Sequence, residues 1–197
     1  MTTRLKPAER RRQILDVAQS LLATKGFAAL TLRNAATASG IRLSTLQYHF
    51  ATREILFEAA FQDIADKAWN DILQLISDDI ENDPKKRLGQ FIKSLCLSTQ
   101  SDTLTGLFVE LWAAARTHGF ASNIMDQYYE DAVALLAELI RDTLRDITPR
   151  ESRRRAILML STVEGLSLFR QMDQRQSRKS VVSRKSAEHA LMKLATG

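Results

Sequence analysis

Cysteine, proline and glycine are all scarce in this sequence: one Cys, three Pro and seven Gly among 197 residues. The lone Cys96 excludes an internal disulfide and fits a reducing compartment. With so few helix breakers and 45% hydrophobic residues, the chain reads as globular and helical. No apolar run approaches the ~18 residues of a membrane span. The first residues, MTTRLKPAERRR, lack the apolar core of a secretion signal. The expected location is the cytoplasm, with no membrane partner. His49, His118 and His189 are far apart in sequence, without zinc-ligand spacing, so no metal is expected. Gly-rich phosphate loops, nucleophile elbows and HExxH are also missing. No catalytic residue and no cofactor are therefore expected, and the chain is not read as an enzyme.

Charge is present but unevenly spread. Residues 1–55 carry nine Lys/Arg against three acids, a balance of +6, residues 56–146 balance at −8, and residues 147–197 at +7. A basic head on an acidic middle points to a polyanionic partner for the head, although a solvated basic surface has the same composition.

Helical periodicity and caps divide the chain into about nine helices, with no strand signal and no repeat. Pro7 opens the first, whose stripe is Ile14, Ala18, Leu21 and Leu22, and Gly26 stops it. Thr31 caps the second, and the third covers roughly Leu43–His49. A long fourth helix has Phe57, Phe61, Ile64, Ala68, Ile72 and Ile76 at helical spacing. Asp83 and Pro84 open the fifth. The sixth, TLTGLFVELWAAAR, is apolar almost all round and is expected to be central. His118 and Gly119 are expected to end it, and the seventh to run from about Ser122 to Asp146. TPRE at 148–151 has the spacing of a capping box for the eighth. A basic, polar segment then precedes a last helix carrying Ala187, Ala190, Leu191 and Leu194.

The stretch GIRLSTLQYHFATRE, Gly40–Glu54, carries the functional signal. On a helical wheel Leu43, Leu46 and Phe50 share one face, and Ser44, Thr45, Tyr48 and His49 occupy the other. The apolar face packs, so the polar one is presented to another molecule. Upstream, Ala36 permits a close helix crossing and Gly40 permits a positive-φ turn. Helix, tight turn and amphipathic second helix form the helix-turn-helix pattern, whose second helix enters a major groove.

TLRNAATASGIRLSTLQYHFATREIL, residues 31–56, resembles the signature of the TetR family of bacterial transcriptional regulators. Thr31, Arg33, Ala36, Gly40, Ile41, Thr45, Leu46, His49, Phe50, Arg53, Glu54 and Leu56 match it. ILDVAQSLLATKGFAALT before it resembles the family's first helix. Arg42 stands where the family usually has a capping Ser, and Gln47 where it usually has a phosphate-contacting Tyr. The resemblance implies an all-α protein: a three-helix DNA-binding head over residues 1–52, then a helical bundle over 53–197 for effector binding and dimerisation. It implies that Ser44, Thr45, Tyr48 and His49 face double-stranded operator DNA, with Gln47 at the edge. Thr31, Arg42 and Leu43 join that expected set, and Arg33 and Arg53 resemble phosphate clamps. Arg10, Arg11 and Arg12 add charge.

In the middle region, Phe108, Trp112, Met125 and Tyr128 suit the lining of a small-molecule cavity, or simply a core. Glu110 and Glu164 each interrupt an apolar run, LFVELWA and STVEGLSLF. Each requires a partner: Arg116 or Arg170 six residues on, an Arg from another helix, or a cationic guest. Trp69 is expected to lie away from the cavity. In the eighth helix, Ser161 and Gly165 fall among Leu158, Leu168, Phe169 and Met172. That pattern suits half of a two-fold interface completed by the ninth helix.

The function this implies is a homodimeric regulator, read as a repressor released from a palindromic operator by a small hydrophobic effector. An activator or nucleoid-type binder of the same architecture is one alternative. A helical carrier or enzyme with a vestigial head is the other.

Overall fold

A computed structural model describes residues 5–77, 83–178 and 180–197. Among the described residues there are nine α-helices and one 3-10 turn, with no strand. The helices are α1 Pro7–Lys25, α2 Leu32–Ala38, α3 Leu43–His49, α4 Arg53–Ser77, α5 Pro84–Ser98, α6 Asp102–Ala115, α7 Gly119–Thr143, α8 Pro149–Arg175 and α9 Arg184–Thr196. No helix is long and apolar enough to cross a membrane among these residues. Likewise, no group of three potential metal-ligating side chains occurs among them.

Most starts follow from caps. The Thr31 hydroxyl accepts from Asn34 N–H at 3.0 Å, Asp83 from Lys85 N–H at 2.9 Å, and Thr148 from Glu151 N–H at 3.2 Å. Each satisfies one orphan amide of its helix. The capping box at TPRE is only half made. The Glu151 carboxylate binds Arg154 and Arg155 instead, and these hydrogen bonds hold it down to about 2. His118 and Gly119 do not close α6, which ends at Ala115; Gly119 opens α7. Gly119 is not among the positive-φ glycines, so nothing there enforces a stop, and α7 starts three residues earlier than its sequence suggests. Of the stripe expected on the fourth helix, the side chains of Ala68, Ile72 and Ile76 lie outside the described residues.

The chain forms two compact units: residues through Lys67 with Gly106–Asp126, and Ala68–Thr105 with Gln127–Gly197. The first unit therefore contains the head plus parts of α6 and α7. Its core includes Ile14, Ala18 and Leu22 of α1, Leu46 of α3, Phe57 and Phe61 of α4, and Leu111 of α6, all fully buried or nearly so. Burying such side chains contributes roughly 1.5–3 kcal/mol each before entropy is counted. Phe27, Phe57, Phe61, Phe108, His118 and Phe120 continue this core in edge-to-face pairs. The second unit is built on α5, α7, α8 and α9, with Leu88, Phe91, Leu136, Ile140, Met159 and Leu191 at its centre. The Cys96 thiol is buried there, and burial pushes it up to about 11, away from reactive thiolate chemistry.

α6 departs from expectation. It buries Leu107, Leu111 and Ala114, but Val109 is 38% and Trp112 48% exposed. An apolar composition shows what a helix can bury. How much it does bury depends on how many neighbours pack round it, which its own sequence does not contain.

Candidate DNA-reading head and effector site

Gly40 joins α2 to α3 with φ +66°, a conformation that costs an ordinary residue about 1–2 kcal/mol. The turn is closed by Ile41 N–H donating to the Ala36 carbonyl at 3.0 Å. Leu46 and the following Phe50 are completely buried and anchor α3. That fixes the opposite face outward. Ser44, Thr45 and Gln47 are exposed, Tyr48 is 82% exposed, and His49 is half-buried with its ring edge-to-face on Tyr48 at 5.2 Å. Arg42 occupies the N-cap of α3 without a side-chain cap bond, so its exposed side chain is available for other contacts. Leu43 is half-buried. Thr31 caps α2, and Arg33 is exposed on the first turn of that helix. α3 thus brings six of the expected DNA residues together on one short helix.

The arginines are used unequally. Arg11 lies over the Phe50 ring at 5.0 Å. Arg12 pairs with Asp16 and Asp63, and these bonds raise its already high affinity for its proton. It adds structure more than field. Arg53 is half-buried: its guanidinium donates to the Phe27 carbonyl and stacks on the Phe27 ring at 3.9 Å. From the other side, Glu110 of α6 accepts from Phe27 N–H. The turn after α1 leaves room for it because Gly26 has no Cβ, which would stand 2.9 Å from the Glu110 carboxylate; its φ of +77° separately favours glycine. Glu110 therefore ties down the α1 exit, with the Phe27 amide rather than Arg116 as its partner. Sequence reasoning passed over Phe27 as a hub. A turn residue reveals such a role only once α4 and α6 are placed.

The Arg53 contact yields a prediction. Arg53→Ala should destabilise the protein by about 1–3 kcal/mol, from one cation–π contact and one hydrogen bond. Chemical denaturation measures this. The salt slope of DNA binding decides whether Arg53 also clamps a phosphate, since loss of one phosphate contact flattens it by about one unit.

The six effector candidates divide between the two units. Phe108, Glu110, Trp112 and Met125 belong to the unit of the head, and Tyr128 and Glu164 to the other. Phe108 packs on Phe61 at 5.6 Å. Glu164 is not paired with Arg170, which donates instead to the Thr99 carbonyl and approaches Asp102 at 3.6 Å. Glu164 accepts one hydrogen bond, from the Tyr129 hydroxyl at 2.8 Å. Burial raises this carboxyl, against the smaller lowering from Tyr129. Tyr128 is pushed up to about 12 by burial and by the nearby Glu164 charge. Trp69, expected elsewhere, has its ring 6.0 Å from Tyr128. Its position on α4 was legible; its neighbour on α7 was not.

On α8, Ser152, Ala156, Met159, Val163 and Ser167 are buried, while Ile157, Leu158, Leu168 and Phe169 are 41–65% exposed. The helix is apolar on two faces, and the core uses one. Gly165 lies in the outward stripe with nothing within 4 Å of a built Cβ.

Comparison with known proteins agrees with this architecture. Residues 14–60 match the family model for bacterial regulatory proteins of the tetR family, and residues 84–194 that for the C-terminal region of BetI-type transcriptional repressors. An uncharacterized HTH-type transcriptional regulator from the dhlA 5′ region of Xanthobacter autotrophicus is 26% identical over 174 residues, 83% of this chain and 81% of that protein. The HTH-type transcriptional repressor KstR2 of Mycolicibacterium smegmatis is 26% identical over 149 residues, 76% of this chain and 62% of that protein. A putative transcriptional regulator from Pseudomonas aeruginosa PAO1 shares the fold with a TM-score of 0.80 at 16% identity, covering 98% of this chain and 91% of that one. Matched in its head and across more than half its length by the second model alone, the chain belongs to the TetR family and is a transcriptional regulator.

Proposed function

We propose that α3 is the operator reader of a homodimeric repressor, with residues 1–52 as its DNA-binding part and 53–197 binding effector and partner. The observation that carries this is the outward face of α3, where an 82% exposed Tyr48 follows a positive-φ glycine turn and a buried anchor. Ser44, Thr45, Tyr48 and His49 contact base edges and the nearest phosphates. Arg33, Arg42, Gln47 and Thr31 position the head on the backbone, and Leu43 packs where α3 meets DNA. Two copies joined through α8 and α9 present two α3 helices to successive major grooves, which calls for a roughly palindromic site. A small hydrophobic or amphipathic effector, neutral or cationic, binds the DNA-incompetent state more tightly and so shifts the population away from the operator. Of the candidate lining residues, Tyr128 and Glu164 suit that role best, because Glu110 is occupied by Phe27.

The test is selection of bound DNA from a random pool. The expected product is an inverted repeat whose half-sites lie a whole number of helical turns apart, about 10–10.5 bp each. Affinity should fall by orders of magnitude between low and physiological salt. A pool without an enriched sequence overturns the reading.

A further inference from the structure

The corner where α5, α8 and α9 meet holds a cavity of about 560 Å³, within the range of sites that take a small molecule. It lies in the second compact unit and shares no wall residue with the effector candidates. Buried Cys96 and Ala187 and half-buried Leu166 line it, together with Phe169, Val181 and Val182, which are 65%, 97% and 48% exposed. Apolar surface left to water in this way gains by covering it with an apolar guest. Two guanidiniums and one carboxylate, Asp173, also line the cavity. Arg170 is engaged, donating to the Thr99 carbonyl at 2.6 Å and lying 3.6 Å from Asp102. Arg184 is used differently. It is half-buried, and its ion-pair partner Glu188 stands 3.6 Å away, too far for a hydrogen bond. The Glu188 Oε1 atom is itself buried without a hydrogen bond. Glu188 therefore offsets part of the charge and leaves the guanidinium donors unfilled. Those donors form a planar fork that matches a carboxylate through two parallel bonds. A guest without acceptors would set the fork against hydrocarbon, and a cation would meet two guanidiniums. An organic acid with an apolar body satisfies both parts of the wall.

We propose that this cavity binds an organic carboxylate with an apolar body, held by Arg184 and walled by Leu166, Phe169, Val182 and Ala187. It is a second site, apart from the one assigned to the operator-releasing effector, and it does not depend on the regulator reading. The two helices supply different parts: α8 gives apolar wall, and Arg184, the first residue of α9, gives the charge. An occupied cavity thus joins the end of α8 to the start of α9. Phe169 also belongs to the outward stripe of α8, so the guest sits beside the face proposed for the partner copy.

Calorimetric titration of the full chain tests the site without reference to DNA. The probes are sodium octanoate and sodium 4-phenylbutyrate at constant ionic strength, each against its neutral amide, octanamide or 4-phenylbutanamide. At least one acid should bind about tenfold or more tightly than its amide. Arg184→Gln should abolish this preference while leaving the amide affinity within about twofold. Val182→Ser should weaken acid and amide alike, by about two- to fivefold, through lost apolar contact. Arg178→Gln alters an exposed arginine outside the cavity and should change neither affinity. Thermal melts check that each variant keeps its fold. Acids that bind no better than their amides overturn the site, as does an Arg184→Gln variant that binds them like the parent. An Arg178→Gln variant that loses as much as Arg184→Gln reports diffuse charge attraction and overturns it too. A Val182→Ser variant that holds the acid as tightly as the parent reduces the contact to a surface ion pair and overturns the cavity as its seat.

Discussion

Thr45→Ala combined with Tyr48→Ala is expected to erase the operator preference of the protein while leaving its thermal melt almost unmoved. Both side chains stand on the exposed face of α3, and the Tyr48 ring makes its aromatic contact with the neighbouring His49. Exposed substitutions of this kind shift stability by about 0.5 kcal/mol or less. Each well-made base contact, by contrast, separates right from wrong sequence by about 1–3 kcal/mol, so two contacts together represent about 2–6 kcal/mol of discrimination. The non-specific, salt-dependent part of binding should survive, because it comes from cations elsewhere on the head such as Arg33 and Arg42. Fluorescence anisotropy on the selected operator and on a scrambled duplex, at two salt concentrations, separates the two components. A double variant that still prefers the operator removes α3 from sequence reading and leaves the motif as a structural corner.

The contrast within the head is informative about what a sequence encodes. The third helix, read as roughly Leu43–His49, was legible because the signals that define it are local: Leu43, Leu46 and Phe50 recurring every three or four residues, and a glycine whose φ is needed in the turn before it. Arg53 has the same motif-level signal as Arg33, yet the two differ in use. Arg33 is exposed, whereas Arg53 is drawn onto Phe27. That difference depends on a contact spanning 26 residues. The same limit governs the acids. Glu110 and Glu164 were visible as misfits in apolar runs, and the requirement for a partner followed from physics alone. Which partner each found, the Phe27 amide 83 residues away and the Tyr129 hydroxyl 35 away, follows from tertiary packing. Local arginines at six residues are also poor partners on a helix, where neighbours on one face are three or four apart. α8 is the opposite case. Its middle stretch, residues 156–169, is apolar on two faces; the sequence offered Leu158, Gly165, Leu168 and Phe169 as one stripe, and burial shows that the core uses the other face.

That leftover face gives the last large effect. Gly165→Leu should convert the protein from dimer to monomer or aggregate, and should cost it operator binding. In a single chain the substitution has every reason to be benign. Nothing lies within 4 Å of the added Cβ, φ is not in the left-handed region, and replacing a glycine inside a helix gains about 0.5–1 kcal/mol of helical propensity. A loss of dimer with the monomer's fold intact would therefore point to a second molecule. Exposed Leu158, Leu168 and Phe169 flank the site, and an exposed apolar stripe of this kind suits the proposed two-fold interface. If α8 forms the interface as proposed, a small residue in the middle of the stripe would let two such helices approach closely, and a leucine would hold them apart. Without the partner, a palindromic operator meets one head at a time, so the coupling that makes two half-sites bind as one disappears. Multi-angle light scattering gives the mass, and melts at several protein concentrations report the linkage, since a dimer's stability rises with concentration and a monomer's does not. Phe169→Glu, which places a charge on the same stripe without adding bulk at Gly165, should act in the same direction. Two variants that both remain dimers of normal stability would place the two-fold interface on another face of the protein.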